Sequence, residues 1–338
     1  MIKECIAKLV KGIDLSPSEV ESAMEEIMTG QALPTQIASF LTAMRMKGET
    51  IDEIAGAASI MRRHATKIAT KHPYVLDTCG TGGDEAHTFN VSTVAAFVVA
   101  GAGIPVAKHG NRCVSSKCGS ADLLKALGVN IDVEPEIVSK CLDEIGIGFL
   151  FAPLLHKAMQ YATLPRREIG IRTIFNILGP MTNPAGATHQ LLGVYDGELV
   201  EPIAKALGKL GSKHALVVHG LDGLDEATTT DETQISELKD GMVKSFRISP
   251  TDFGIKRANL EDLKGGDCDY NIKIMMDILN VKEGPPYDIV ILNAGCAIYA
   301  ADIAEDIGEG IELARKSIAS KSALKKLEGL KEFTNRDF

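Results

Sequence analysis

The sequence predicts an α/β protein: a small helical N-terminal domain, then a large domain with a mostly parallel central sheet flanked by helices. Three observations carry this. Residues 1–72 hold capped, amphipathic helical patterns. From about residue 73, short apolar runs alternate with helical stretches, the pattern of a parallel sheet. The first of those runs, Tyr74 to Thr78, breaks abruptly into Cys79-Gly80-Thr81-Gly82-Gly83-Asp84, as a strand does on entering a glycine loop.

Ser16-Pro17-Ser18-Glu19 is a capping box with proline at the first helical position. Val20, Ala23, Met24, Ile27 and Met28 then mark one apolar face, and Gly30 ends the helix. Pro34 opens a second helix with Ile37, Phe40, Leu41 and Met44 on its face and Gly48 after it. Thr50 and Glu53 cap a third, Ile51 to about His64. Such short helices bury little alone and need a partner surface. In the large domain, Asn90-Val91-Ser92-Thr93 offers caps for a buried, Ala-rich helix beginning near Ser92. The segment Ile104 to Ala107 then delivers Lys108-His109-Gly110-Asn111-Arg112 at a strand end, followed by Ser115, Ser116, Ser120 and a helix from Ala121 to Leu127 stopped by Gly128. Further strands are expected at Val129–Val133, Gly148–Phe151, Leu216–Val218 and Ile289–Leu292, with a helix through Ile137 to Glu144. A segment between about 153 and 190 interrupts this alternation.

Composition bounds the function. A chain of 338 residues can bury a large core and hold two domains. Its 45% hydrophobic and 24% charged residues are those of a soluble globular protein. The net charge of −9 argues against a nucleic-acid partner. Charges interrupt the N-terminal MIKECIAKLVKGID, so a signal peptide is not expected, and the uncharged Val91–Ala107 stretch contains Pro105 and is too short for a membrane span. A cytoplasmic protein is the expectation. The seven cysteines are scattered without a C-x-x-C pair, so neither a disulfide framework nor a zinc site is expected.

The chemistry concentrates between Asp77 and Asp122. Loop N–H groups and a helix N-terminus directed into one small volume favour a phosphate or pyrophosphate. The loop is not a Walker A motif, and it departs from the dinucleotide fingerprint because Glu85 stands where the third glycine belongs. The Lys108–Arg112 run adds cations, an imidazole and an amide at the next strand end, where open α/β sheets bind ligands. A second constellation follows Leu216-Val217-Val218-His219-Gly220: Asp222, Asp225, Glu226, Asp231 and Glu232, with no Lys or Arg among them. Such a stretch is a solvated turn or a Mg²⁺ site. Its position after a strand, in a chain with a phosphate loop, favours Mg²⁺.

DTCGTGGD, TFNVST, KHGNR, SSKCGSAD and RTIFNILGPMTNP, in this order, resemble the anthranilate phosphoribosyltransferase family of tryptophan biosynthesis. QIASFLTAMRMKGET and ILNAGCAIY extend the resemblance from about residue 3 to about residue 330. It implies a helical domain of residues 1–72 completed by an insertion at about 165–188, a phosphoribosyl-binding domain of residues 73–338, and a homodimer through the helical domain. It further implies phosphoribosyl pyrophosphate on Gly80, Thr81, Gly82, Gly83, Asp84, Thr88, Asn90, Val91, Ser92, Thr93, Lys108, His109, Gly110, Asn111, Ser116, Cys118 and Ser120. Anthranilate would lie on Gly80, His109, Asn111, Arg166, Gly179 and Pro180, and two Mg²⁺ ions per subunit on Ser92, Asp225 and Glu226. No side chain is assigned a covalent or proton-transfer role, and His156, in a FAP-x-x-H pattern, reads as structural. A pyrimidine nucleoside phosphorylase and a non-catalytic nucleic-acid binder are the alternatives on the same fold. The Asn111-Arg112 continuation, the Asp225-Glu226 pair and the RTIFNILGP segment favour the transferase over the phosphorylase, and the sequence shows neither the basic face nor the degraded site motifs of the nucleic-acid binder.

Overall fold

The computed structural model describes residues 1–84, 86–112 and 118–336; the expectations for Glu85, Ser115 and Ser116 lie outside these. Four helices open the chain, Ile2–Leu9, Pro17–Met28, Pro34–Lys47 and Ile51–His64. Their caps form as the sequence indicates. The Ser16 N–H donates to Glu19 at 3.0 Å, while Thr50 and Glu53 bond reciprocally at 2.8 and 3.2 Å. Glu53 does more than cap. Its carboxylate is fully buried, and it also accepts the Leu15 N–H at 2.9 Å and the Lys47 ammonium at 2.8 Å, tying the connection before Pro17–Met28 to the two helices that follow.

Among the described residues seven strands form one sheet: β1 Leu76–Gly80, β2 Val106–Gly110, β3 Ile147–Phe151, β4 His189–Gly193, β5 His214–Gly220, β6 Thr233–Lys239 and β7 Met242–Ile248, in the order β3-β2-β1-β4-β5-β6-β7. The first five are parallel; β6 and β7 add antiparallel. The chain winds outward from β1 to β3, then returns to the other side of β1 as β4. The β1/β4 seam is therefore the point where strand order reverses, and ligands bind beyond the carboxyl ends of strands at such a point. Four of the parallel strands, β1, β2, β4 and β5, end in glycine there.

Alternation along the strands sends side chains to two faces. Leu191 and Leu216 join Val91–Gly101 and Pro285–Ala300 on one side. Leu192, Val217 and Leu238 pack on the other, in one continuous apolar cluster with helix Val200–Lys209 and the N-terminal helices. The 153–190 segment feeds that second cluster. Helix Gln160–Ile169 packs on Pro17–Met28 and Pro34–Lys47, with Ile174, Phe175, Ile177 and Leu178 buried beside it.

Several expectations are corrected. Val129–Val133 is not a strand: Val129 and Ile131 are buried, but the Asn130 N–H bonds the Thr334 hydroxyl at 3.1 Å, so its backbone is tied to the C-terminal helix Ser322–Thr334 and not to the sheet. Ile289–Leu292 lies inside helix Pro285–Ala300, which is buried on almost every side and so shows no period to separate it from a strand. Strands β4, β6 and β7 are additions to the sequence-based expectation. Cys118 and Cys268 form a disulfide with Cα atoms 5.3 Å apart, a pairing that a separation of 150 positions hides from any reading of spacing. Among the described residues, no helix is long and apolar enough to cross a membrane.

Candidate functional site

At the β1/β4 seam the glycine loop meets the acidic stretch. The Gly82 N–H donates to Asp225 Oδ2 at 2.7 Å, and the N–H of Ser92, in the first turn of Val91–Gly101, donates to Glu226 Oε1 at 3.2 Å. Two paired glycines admit this approach. A Cβ on Gly80 would stand 2.4 Å from the Asp225 carboxylate, and one on Gly193 only 1.6 Å from the Asp225 carbonyl oxygen. The loop is anchored to the same strand end by Thr81, whose N–H donates to the Gly193 carbonyl at 2.9 Å and whose hydroxyl accepts the Tyr195 N–H at 3.1 Å.

The carboxyls here are held above their ordinary range. Asp225 is pushed up to about 7, first by burial and then by neighbouring Asp84. Glu226 is raised well above its usual value by burial and then by Asp225. Carboxyls gathered in this way resist ionisation alone and give up their protons readily to a divalent cation. The other acids of the stretch are engaged elsewhere. Asp222 organises its own turn by accepting the Thr228 hydroxyl at 2.6 Å and the Leu224 N–H at 3.2 Å. Asp231 and Glu232 face Arg257 and Arg247 at 3.5 and 3.6 Å. Among the described residues, no three His, Cys, Asp or Glu side chains gather as a ready-made cage, so a cation here needs oxygens from a ligand as well. That is the coordination habit of Mg²⁺ with phosphates.

Lys108, buried on β2, donates to the Thr78 carbonyl and to Ser92 Oγ, the latter at 3.3 Å. Beside it, Asp77 is fully buried and accepts the His109 N–H at 3.0 Å and the Asn183 amide at 2.8 Å. Burial raises this carboxyl, and Lys108 offsets only part of the rise. The pair fixes how β2 presents its polar end.

His109 and His156 are both buried with ring centroids 5.1 Å apart, and among the described residues Nε2 of each lacks a hydrogen-bond partner. Burial, then His156 and Lys108, drives His109 down to about 3; the Gly179 carbonyl opposes them. Burial likewise takes His156 to about 4. Both rings are neutral at pH 7. Arg166, half-buried in helix Gln160–Ile169, lies 5.1 Å from the Phe175 ring centroid. Among the described residues it has no carboxylate within ion-pair distance. Pro180, in the turn after Phe175–Leu178, gives its carbonyl to Gln190 at 2.9 Å.

On the far flank, the Ser120 hydroxyl donates to the Asn111 carbonyl at 3.2 Å, and a Cβ on Gly110 would meet Ser120 Oγ at 2.4 Å. Asn90 bridges the Cys118 carbonyl at 3.0 Å and the Asn271 amide at 3.1 Å. Thr88 pairs with Lys264 in an isolated bridge, Val91 is buried at the helix start, and the buried Thr93 hydroxyl has no partner among the described residues. Ser116 lies outside the described residues. Sequence reasoning did not single out Gly193, Asp77, Asn183 or Arg172. The last donates to the Gly83 carbonyl at 2.5 Å and stacks 4.4 Å from the Tyr195 ring centroid. Arg172 and Asn183 stand inside the quoted RTIFNILGPMTNP motif, so the signal was present. Gly193 had none, because its strand was not recognised.

Residues 3–65 match the model for the helical bundle domain of a glycosyl transferase family, and residues 72–324 the model for its a/b domain. An anthranilate phosphoribosyltransferase of Moorella thermoacetica is 54% identical over 330 residues, 98% of this chain and 97% of the relative. The chain belongs to the anthranilate phosphoribosyltransferase family. Another member, from Symbiobacterium thermophilum, is 52% identical over 99% of this chain and 98% of its own length. The crystal structure of the Thermus thermophilus anthranilate phosphoribosyltransferase superposes with a TM-score of 0.94 at 42% identity, covering 98% of this chain and 99% of that one. The Saccharomyces cerevisiae family member, solved in complex with PRPP and Mg, gives 0.88 at 31% identity over 98% and 97%. It has also been solved in complex with 4-fluoroanthranilate.

Proposed function

We propose that the seam between β1 and β4 carries out the family reaction in this chain. The phosphoribosyl group of 5-phosphoribosyl 1-pyrophosphate passes to the amine of anthranilate, giving N-(5-phosphoribosyl)anthranilate and pyrophosphate, a step of tryptophan biosynthesis. One observation supports this most: loop and helix N–H groups, at Gly82 and Ser92, meet a desolvated carboxyl pair at the strand-order reversal. Oriented N–H donors suit phosphate, and the carboxyls suit the metal that accompanies it.

The donor lies along Gly80–Asp84, Thr88, Asn90–Thr93, Lys108–Asn111, Cys118 and Ser120. Asp225 and Glu226, with Ser92, would hold two Mg²⁺ ions, whose charge would neutralise the pyrophosphate as a leaving group. Arg166 offers its planar fork to the anthranilate carboxylate, while Gly80, His109, Asn111, Gly179 and Pro180 line the same pocket. The amine attacks the anomeric carbon as the bond to pyrophosphate breaks, and the proton the amine sheds passes to water. Neutral His109 binds through its unpartnered nitrogen. Acceleration comes from positioning, ~7–11 kcal/mol in favourable systems, and from preorganised charge.

Mixing the protein with both substrates and Mg²⁺ should quench anthranilate fluorescence, and a chelator should stop the quenching. Folded protein that leaves anthranilate unchanged overturns the reading.

The helical unit of residues 1–72, completed by 165–188, serves as the dimer surface. A cavity of about 510 Å³ there is lined by Leu9, Val10, Ala38, Thr42 and Met46, and Val10 and Met46 are 73% and 83% exposed. A second copy covering this apolar patch accounts for it. Sedimentation should give a dimer, and Met46→Glu a monomer. The enzyme acts in the cytoplasm.

A further inference from the structure

Cys118 is buried at the turn into helix Ser120–Ala126, and Cys268 is the half-buried first residue of helix Cys268–Leu279. Their disulfide joins two segments that Asn90 also joins, through Nδ2 to the Cys118 carbonyl and Oδ1 to Asn271 of the same helix. Gly265, just before that helix, lies so close to the donor loop that a Cβ would stand 2.9 Å from the backbone of Thr88 and Phe89. A covalent tie and a polar tie therefore run side by side across one edge of the donor pocket.

The two ties respond differently to a ligand. For Asn90 to turn its amide toward a phosphate, Nδ2 must leave the carbonyl of buried Cys118, and that carbonyl regains a donor only if the Cys118 turn shifts. With both sulfurs as thiols, the turn is held by hydrogen bonds alone. With the disulfide closed, it is fastened to helix Cys268–Leu279. We propose that Cys118 and Cys268 form a thiol–disulfide switch that lowers affinity for phosphoribosyl pyrophosphate when oxidised, an inference that rests on placing Asn90 in the donor site.

The oxidant is a hydroperoxide. The more accessible Cys268 sulfur attacks the peroxide, breaking its O–O bond and giving a sulfenic acid and water. The Cys118 sulfur then attacks Cys268, forming the S–S bond and releasing a second water. Two thiols lose two electrons and two protons, and one hydrogen peroxide becomes two waters.

The test uses the full-length protein, reduced with dithiothreitol and then treated with hydrogen peroxide. Free thiols counted in denaturant should fall from the seven of the sequence to five, with a peptide joining Cys118 to Cys268. Calorimetric titration with phosphoribosyl pyrophosphate and Mg²⁺ should show a several-fold weaker Kd after oxidation, restored by dithiothreitol. Cys268→Ser and Cys268→Ala should keep their thiols and bind the donor as the reduced protein does, with or without peroxide. The proposal is overturned by a thiol count that stays at seven, by equal Kd values in both forms, or by an oxidative shift that persists in the Cys268 variants. Turnover of the reduced enzyme, measured in parallel, tests the transferase reading separately, because the Kd comparison does not depend on catalysis.

Discussion

The carboxylate of Asp225 accepts the backbone N–H of Gly82 at 2.7 Å across 143 positions of chain. That contact requires glycine on both strands beneath it, and the two glycines differ in what a methyl would meet. On Gly193 it would collide with the Asp225 backbone; on Gly80 it would meet mainly the side chain. Gly193→Ala should therefore lower Tm markedly and remove activity. Gly80→Ala should nearly keep Tm while weakening donor binding at least tenfold. Calorimetry and steady-state kinetics on both variants check this, and equal loss of Tm would contradict it.

Asp225 and Glu226 are held against burial and mutual repulsion, so in metal-free protein they work against the fold. Asp225 reaches about 7 in the folded chain, against an ordinary carboxyl near 4. A raised folded value means stability is greatest below the ordinary range and declines as pH rises through about 7. Asp225→Asn should raise Tm at pH 8 in chelator while reducing turnover a hundredfold or more. A Tm unchanged or lowered by the substitution counts against this electrostatic account.

Arg166 presents a partly desolvated guanidinium with no carboxylate within ion-pair distance among the described residues, its value drawn below the usual range by burial. A charged hydrogen-bonded contact is worth about 1.5–3 kcal/mol. Arg166→Ala should thus raise KM for anthranilate roughly 10- to 100-fold and leave KM for the donor within about twofold. Arg166→Lys should recover only part of the loss, since an ammonium lacks the fork. A defect confined to the donor would remove Arg166 from the acceptor pocket.

His109 and His156 stay neutral down to about 3 and about 4 in the fold, whereas an unfolded histidine takes its proton near 6.5. The unfolded chain therefore binds more protons below pH 6.5. Stability is full above that pH and falls as pH drops, by at most about 1.4 kcal/mol per pH unit for each ring. Denaturant titrations at pH 7, 6 and 5 should show the decline, and His156→Gln should make it shallower.

The capped N-terminal helices are legible in the sequence because their signals are local: Ser16 and Glu19, or Thr50 and Glu53, find each other within one turn. The glycine loop and the polar end of β2 are legible for the same reason. Strand β4 is not, since His189–Gly193 is a short buried run whose identity depends on pairing with β1 and β5. Part of helix Pro285–Ala300 reads as a strand because burial on nearly all sides erases amphipathic period.

The sequence alone determined the chemical parts: a loop able to hold phosphate, an acidic stretch after a strand, a cationic strand end and five ordered motifs of one family. Which parts meet was decided only by the tertiary structure. Five acids lie close together in the chain, but strand order brings Asp225 and Glu226 to Gly82 and Ser92, keeps Asp222 within its own turn, and sets Asp231 and Glu232 against Arg257 and Arg247. Asp77 with Asn183 and Cys118 with Cys268 are likewise products of the winding. Local propensity acts over a few residues, whereas these contacts span 106 to 150 positions and exist only once the sheet reverses direction at β1.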